Sequence, residues 1–291
     1  MTLVDRIIAY ADAQDGEDEL IHTDVESFAV VRNRSSAVLE GYVYQPILCL
    51  ILQGEKETQV GDHTVQVSAG QSLIVSHDLP VMACVMGASA ARPYVALLLK
   101  LDLGIARSLQ GDLGDAPPDP GPSRAMEVGP TEPALLDAMG RLFDLIGKPE
   151  DAQVLRPLIL REIHYRILTS TQGRMIRRLL RRDSHASRIS VALQRIQEAY
   201  ARPLAIPALA ELVGMSASTF HAHFKAVTGT TPLQYQKDLR LLAARRMLQE
   251  GVPTVSAAAF AVGYESAPQF SREYGRKFGV PPRAELARRV T

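Results

Sequence analysis

The stretch Ala210-Glu211-Leu212-Val213-Gly214-Met215-Ser216, followed by Phe220, Phe224, Gly229 and Pro232, has a second copy in the chain. That copy runs Ala259-Phe260-Ala261-Val262-Gly263-Tyr264, then Ser266, Phe270, Tyr274, Gly279 and Pro282. Gly214 and Gly263 stand 49 positions apart and Phe220 and Phe270 stand 50 apart, so one residue has been inserted at the turn. Both copies share one physical logic. A short helix opens on a small residue, a glycine stops it, a serine is placed to cap the next helix, and aromatics four apart mark that helix's packing face. This is helix-turn-helix grammar, repeated.

At about 100° per residue from Phe220, Phe224 and Val227 fall within about 40° of it, while Ser218, His221, Ala222 and Lys225 fall between about 100° and 200°. One face packs and the other is free to touch a partner. In the second copy Phe270 and Tyr274 define the packing face, and Pro268, Ser271, Arg272 and Gly275 take the outward positions. The candidate base-reading residues are therefore Ser218, His221, Ala222, Pro268, Ser271 and Arg272. Arg272 is the best single candidate, because a guanidinium bonds two acceptors of guanine in the major groove. Between the copies, Pro232–Glu250 reads as one helix with Leu239, Leu242, Ala243 and Met247 on one side and Gly251 closing it. Such a rod would hold two reading helices in successive major grooves, about 34 Å apart. Lys225, Lys237, Arg240, Arg245, Arg246, Arg276 and Lys277 are the candidate phosphate contacts.

Charge agrees with that reading. The net charge of zero hides an asymmetry: residues 1–170 hold 13 basic and 24 acidic residues, whereas 171–291 hold 19 basic and 8 acidic. A net +11 on the C-terminal part points to a polyanion partner for that part alone. With 291 residues, 46% hydrophobic and 22% charged, the chain is long enough for two folded domains and gives no reason to invoke large-scale disorder. The expected divisions are 1–172 for a sensing and dimerisation domain, 173–188 for a basic connection, and 189–291 for the DNA-binding domain. Cys49 and Cys84 lie far apart in apolar runs without metal-binding spacing, which fits a reducing compartment. Without a signal peptide or an apolar run near ~20 residues, the expected location is the cytoplasm, with no membrane partner.

Ahead of the repeat, Leu3–Ala13 reads as an amphipathic helix. Strand-like runs follow at Ile47–Leu52, Thr64–Val67, Ser72–Val75, Val81–Met86 and Tyr94–Leu101. Turn signals at Gln53-Gly54, Gly61-Asp62, Ala69-Gly70 and Asp78-Leu79-Pro80 separate them, the rhythm of a small antiparallel β-barrel. Gly111–Pro133 reads as a loop. Pro133–Ile146 and Val154–Thr169 read as helices that either pack back on the barrel or mediate contacts in a homodimer. The fold class is thus α+β, with an all-α C-terminal domain.

These residues resemble the AraC/XylS-type transcription regulators. The C-terminal carriers include Thr219-Phe220-His221, Phe224-Lys225, Thr228-Gly229-Thr230-Thr231-Pro232-Leu233-Gln234-Tyr235, Arg240-Leu241 and Ala244-Arg245. The likeness continues through Val262-Gly263-Tyr264-Glu265-Ser266, Gln269-Phe270-Ser271-Arg272-Glu273-Tyr274 and Phe278-Gly279-Val280-Pro281-Pro282. The N-terminal part is similar to one subgroup of that family's sensor domains through Leu52-Gln53-Gly54-Glu55-Lys56, Gly61-Asp62, Asp78-Leu79-Pro80-Val81 and Arg161-Glu162-Ile163. The resemblance implies a cupin-like barrel with flanking helices and a seven-helix DNA-binding domain. It also implies double-stranded promoter DNA and RNA polymerase as partners, and binding as a homodimer. One departure is Ala222, where relatives frequently carry a larger polar or basic side chain; here only a methyl group is offered, which suits a thymine methyl.

An apolar effector pocket would draw on Leu50, Leu52, Val67, Val75, Met82, Cys84, Leu97 and Leu99. Two other readings compete with a ligand sensor. Oxidants or aldehydes modifying Cys49 or Cys84 would make a thiol sensor, but basic residues that would create a thiolate are scarce nearby. A metal-dependent cupin enzyme would need two histidines one residue apart with a glutamate following. His22, His63, His77, Glu40, Glu55 and Glu57 do not supply that spacing, so no metal, cofactor or catalytic residue is expected.

Overall fold

The computed structural model describes residues 1–14, 19–36, 39–114 and 124–287. A helix α1 (Leu3–Asp12) precedes nine strands: β1 (Glu19–His22), β2 (Phe28–Asn33), β3 (Glu40–Tyr44), β4 (Ile47–Gln53), β5 (Glu55–Val60), β6 (His63–Ser68), β7 (Gln71–Val75), β8 (Leu79–Met86) and β9 (Tyr94–Lys100). Then come α2 (Leu103–Leu113), β10 (Met126–Pro130), α3 (Pro133–Phe143), α4 (Pro149–Thr169) and α5 (Arg174–Leu180). The rest is helical: α6 (His185–Glu198), α7 (Ile206–Leu212), α8 (Ala217–Thr228), α9 (Pro232–Glu250), α10 (Val255–Ala261), α11 (Ala267–Phe278) and α12 (Pro282–Ala287).

The strands pair antiparallel in two sheets, ordered β1-β2-β9-β4-β7-β10 and β3-β8-β5-β6. Alternation explains the layering. Leu48 and Leu50 of β4, with Val95, Leu97 and Leu99 of β9, point to one face and pack on α1 to α5. Cys49, Ile51, Tyr94 and Ala96 point the other way and meet Val60, Val67, Val81 and Val85 of the second sheet. A strand covered on both faces reads as a continuous apolar run, and ILCLILQ is one.

Three expectations are corrected. Met126–Pro130, inside the stretch expected to be a loop, is strand β10 paired along β7; residues 115–123 of that loop lie outside the described residues. Leu79 and Pro80, expected in a turn, already belong to β8, where Pro80 stands opposite Val43. The first part of the basic stretch 173–188, Arg174–Leu180, is helix α5, because Met175, Ile176, Leu179 and Leu180 form an apolar face that is buried.

The helical part docks on the sheets instead of hanging from a linker. One apolar cluster runs from Val60, Val81 and Tyr44 into Phe220, Phe224, Val227, Tyr235 and Leu239. Polar contacts stitch the same seam: the Ala125 amide donates to the Val227 carbonyl at 2.9 Å, and the Tyr235 hydroxyl donates to the Asp78 carbonyl at 2.9 Å. His77, only 3% exposed, sets Nε2 3.1 Å from the Ala186 carbonyl and Nδ1 2.7 Å from Ser76 Oγ. Since a carbonyl only accepts, Nε2 carries the proton and Nδ1 accepts from Ser76. Helices α9 and α11 reach the sheets through Leu242 and Phe278, which crowd Gly41 of β3 so closely that a Cβ there would lie 2.2 Å from Leu242.

Candidate nucleic-acid interface

Helices α8 and α11 each begin as their sequence dictates. Ser216 accepts from the Thr219 amide at 3.2 Å to cap α8, and Ser266 accepts from the Gln269 amide at 3.4 Å to cap α11. Gly214 and Gly263 end the preceding helices with φ of +63° and +85°, values that L side chains rarely adopt. Phe220, Phe224, Phe270 and Tyr274 are wholly buried, so they orient the helices without reaching a partner. The Phe270 ring lies 5.3 Å from that of Tyr264, whose hydroxyl donates to Glu273 at 2.8 Å, tying the second turn to its helix.

The opposite faces are open. Ser218, His221, Ala222, Pro268 and Arg272 are exposed and Ser271 is partly so. Ala222 and Lys225 also line a cleft of about 390 Å³ between α8 and the β5–β6 hairpin, together with Val60, His63 and Arg124.

The basic residues expected to meet phosphates divide sharply. Lys225 and Arg276 are exposed and form no ion pair among the described residues. Arg246 is exposed and pairs with Glu250 at 2.6 Å, a surface contact that water screens heavily. The other four are engaged elsewhere. Arg245 is buried on Glu285 at 3.0 Å and over the Phe278 ring, so the expectation that it faces DNA is corrected: its charge ties α9 to α12. Arg240 donates to the carbonyls of Tyr200, Arg202 and Gly263 at 2.7, 3.0 and 2.9 Å, and burial lowers its pKa. Lys237 pairs with Glu273 at 3.2 Å and Lys277 with Asp238 at 3.0 Å. A helix wheel marks these cations as polar, but it does not reveal which face a neighbouring helix covers. Arg283, exposed on α12, escaped the sequence reading because it follows the repeat instead of lying within it. The stacked imidazoles of His185 and His223, 3.6 Å apart, were also missed; burial, then the neighbouring ring, lowers the pKa of His223.

The eight residues expected around an effector do not share one cavity. Leu50, Leu97 and Leu99, with Leu52 beside them, face the helices; Val67 and Val75 lie between the sheets; Met82 packs under α9. Cys84 shares Met82's outward phase on β8. Alternation set their phase, but both faces of the larger sheet are covered, so phase alone did not identify the interior. Burial pushes the pKa of Cys49 up and, with Glu57, that of Cys84, which disfavours the thiolate an electrophile sensor needs. Among the described residues, no three His, Cys, Asp or Glu side chains are grouped to hold a metal, and no helix is long and apolar enough to cross a membrane.

The space between the sheets carries an unexpected polar group. Lys56, on the inward phase of β5, sets its ammonium 5.4 Å from the ring centre of Tyr44 and 5.7 Å from that of Tyr42. Burial penalises its charge, yet Tyr44 and the nearby thiols outweigh this and raise its pKa. The sequence signal was the alternation Lys56, Thr58, Val60, which places a lysine in phase with buried residues.

A family model described as the AraC-type transcriptional regulator N-terminus matches residues 24–175, and a helix-turn-helix domain model matches residues 209–288. Over 101 residues the chain is 32% identical to the HTH-type transcriptional activator RhaS of Escherichia coli, which covers 35% of this chain and 36% of that protein. The match thus spans only about a third of the length of the curated relatives. In fold, the structure is similar to the crystal structure of ToxT from Vibrio cholerae, with a TM-score of 0.56 at 10% identity over 90% of this chain and 97% of the other. With more than half of its residues inside the first of these family matches, the chain belongs to the AraC-type transcriptional regulators.

Proposed function

We propose that this protein is a sequence-specific regulator of transcription that binds double-stranded promoter DNA through α8 and α11 and responds to a small molecule held by its N-terminal sheets, read as a cupin-like barrel. The observation that carries the DNA-binding reading is the duplicated capped helix, buried on its aromatic side and bare on the other, at both ends of the rod α9. Ser218, His221, Ala222, Pro268, Ser271 and Arg272 meet base edges in this reading, and Lys225, Arg246 and Arg276 meet phosphates. The effector reading is supported by the continuous core across the seam, which couples any shift of the sheets to α8 and α9. Contact with RNA polymerase and action as a homodimer complete the proposal.

The test uses the full-length chain in a selection from random duplexes at moderate salt, which is expected to return a discrete site. Arg272→Ala is expected to cost about 1–3 kcal/mol and to relax preference at one base pair. Lys225→Ala is expected to weaken all sequences alike and to flatten the salt slope by about one unit. An even loss across sequences for Arg272→Ala would make it a phosphate contact, and a selection without preference would end the reading altogether.

A further inference from the structure

We propose that the N-terminal sheets take part in gripping DNA: the cleft between α8 and the β5–β6 hairpin receives one sugar-phosphate strand of the duplex, held by Arg124 and His63 on the sheet side and Lys225 on the helix side. The inference rests on the DNA-binding reading above and adds a second surface to it. The cleft, of about 390 Å³, shares Ala222 and Lys225 with the outward face of α8. Ala222, Lys225 and Ala226 stay exposed with the hairpin in place, so the hairpin flanks that face instead of covering it. A helix lying in a major groove has a phosphate strand on either side, and the cleft opens where one of them passes.

The charges at the cleft suit a phosphate. Arg124 and His63 are exposed, and neither side chain has an ion-pair or hydrogen-bond partner among the described residues. No carboxylate lines the cleft, and Asp62 at the hairpin turn is not part of its wall. This positive spot stands on a part of the chain, residues 1–170, that holds 24 acidic against 13 basic residues. The C-terminus of a helix carries about half a negative charge on its free carbonyls, which would repel a phosphate. In α8 those carbonyls are engaged. The Thr228 hydroxyl donates to the Phe224 carbonyl at 2.8 Å, and the Gly229 and Ala125 amides donate to the Lys225 and Val227 carbonyls, both at 2.9 Å. Two full positive charges and an imidazole N–H outweigh what is left.

The same contacts hold the donors in place before any partner arrives. Arg124 adjoins Ala125, whose amide is tied to Val227 and whose carbonyl accepts from the Ser76 amide at 2.9 Å. At the hairpin turn Gly61 comes so near α8 that a Cβ on it would lie 2.7 Å from the Gly229 carbonyl oxygen. The backbone on both walls therefore needs no ordering when DNA binds.

Binding of the full-length protein to the duplex it selects, followed between about 50 and 200 mM salt, tests the contact. Arg124→Ala is expected to weaken binding at least about threefold at the low-salt end, to flatten the salt slope by about one unit and to keep the base preference; Arg124→Lys restores the slope. Arg107→Ala, which removes an exposed charge on α2 across the larger sheet, is expected to leave the slope as it was. Ethylation of single phosphates beside the α8 half of the site is expected to hinder the wild type at a position to which Arg124→Ala is indifferent. Unchanged affinity and slope in Arg124→Ala, an equal effect of Arg107→Ala, or an altered base preference would each overturn the proposal. Tighter binding by Arg124→Ala would do the same, because the hairpin would then be shielding α8. Selective binding by the wild type with no effect of Arg124→Ala removes the cleft contact alone. Should the wild type ignore sequence, the regulator reading fails, and the same salt series on an arbitrary duplex still decides the cleft.

Discussion

Gly263→Ala is expected to cost about 3 kcal/mol or more and to displace the second reading unit, while Gly214→Ala at the equivalent turn costs only about 1 kcal/mol. Both glycines hold positive φ, so both substitutions meet the left-handed penalty. Their surroundings differ. A Cβ on Gly263 would lie 1.9 Å from the Ala201 carbonyl oxygen and 2.7 Å from its carbon, whereas at Gly214 the nearest atom is a side-chain nitrogen of Arg188 at 3.6 Å. The segment around Ala201 has little freedom to retreat. Arg240 and Gln236 grip the carbonyls of Tyr200 and Arg202 on either side of it, and Arg240 also holds Gly263 itself. Urea denaturation of the two variants measures the difference, and equal losses would show that the segment yields after all. In duplex selection, Gly263→Ala is expected to erase preference in the half of the site read by α11 and to spare the other half.

Acid is expected to destabilise the protein by about 3 kcal/mol through His77 alone. Burial, partly offset by the bond to Ala186, lowers its pKa from 6.5 to about 4. A base whose folded pKa is depressed binds fewer protons folded than unfolded between those two values. Stability from the neutral ring is therefore complete above about pH 6.5 and is lost progressively as the pH falls toward 4. The adjacent Asp78, whose pKa is raised by burial, pulls the other way at the acid end, because its neutral form is favoured in the fold. His77→Gln keeps a donor for the Ala186 carbonyl and removes the titration. Unfolding free energies of both proteins across this range are expected to converge at low pH, and a parallel pair of curves would acquit His77.

The C-terminal half was legible because its signals are local. Pro232–Glu250 was bounded by a proline and a glycine, and α9 has those bounds; Ser216 and Ser266 were placed to cap, and both do. Strands β4, β7 and β9 were marked by apolar runs between turns. What escaped depends on partners distant in sequence. Met126–Pro130 looks like loop because its pairing belongs to β7, some 50 residues earlier. Arg245 and Lys277 looked like free cations because Glu285 and Asp238 reach them only once α9, α11 and α12 pack. Lys56 was visible as a motif residue, but its setting between tyrosine rings needs β3 laid beside β8.

The shared core across the seam bears on how this molecule can be divided. Cutting before α6 would strip cover from Val227, Tyr235, Leu242 and Phe278 together, leaving a greasy patch on one side of the helical fragment. Such a truncation is expected to form species larger than the intact chain's own assembly in sedimentation at equal concentration. Engineers seeking a minimal DNA reader from this protein would first need to repaint that side with polar residues.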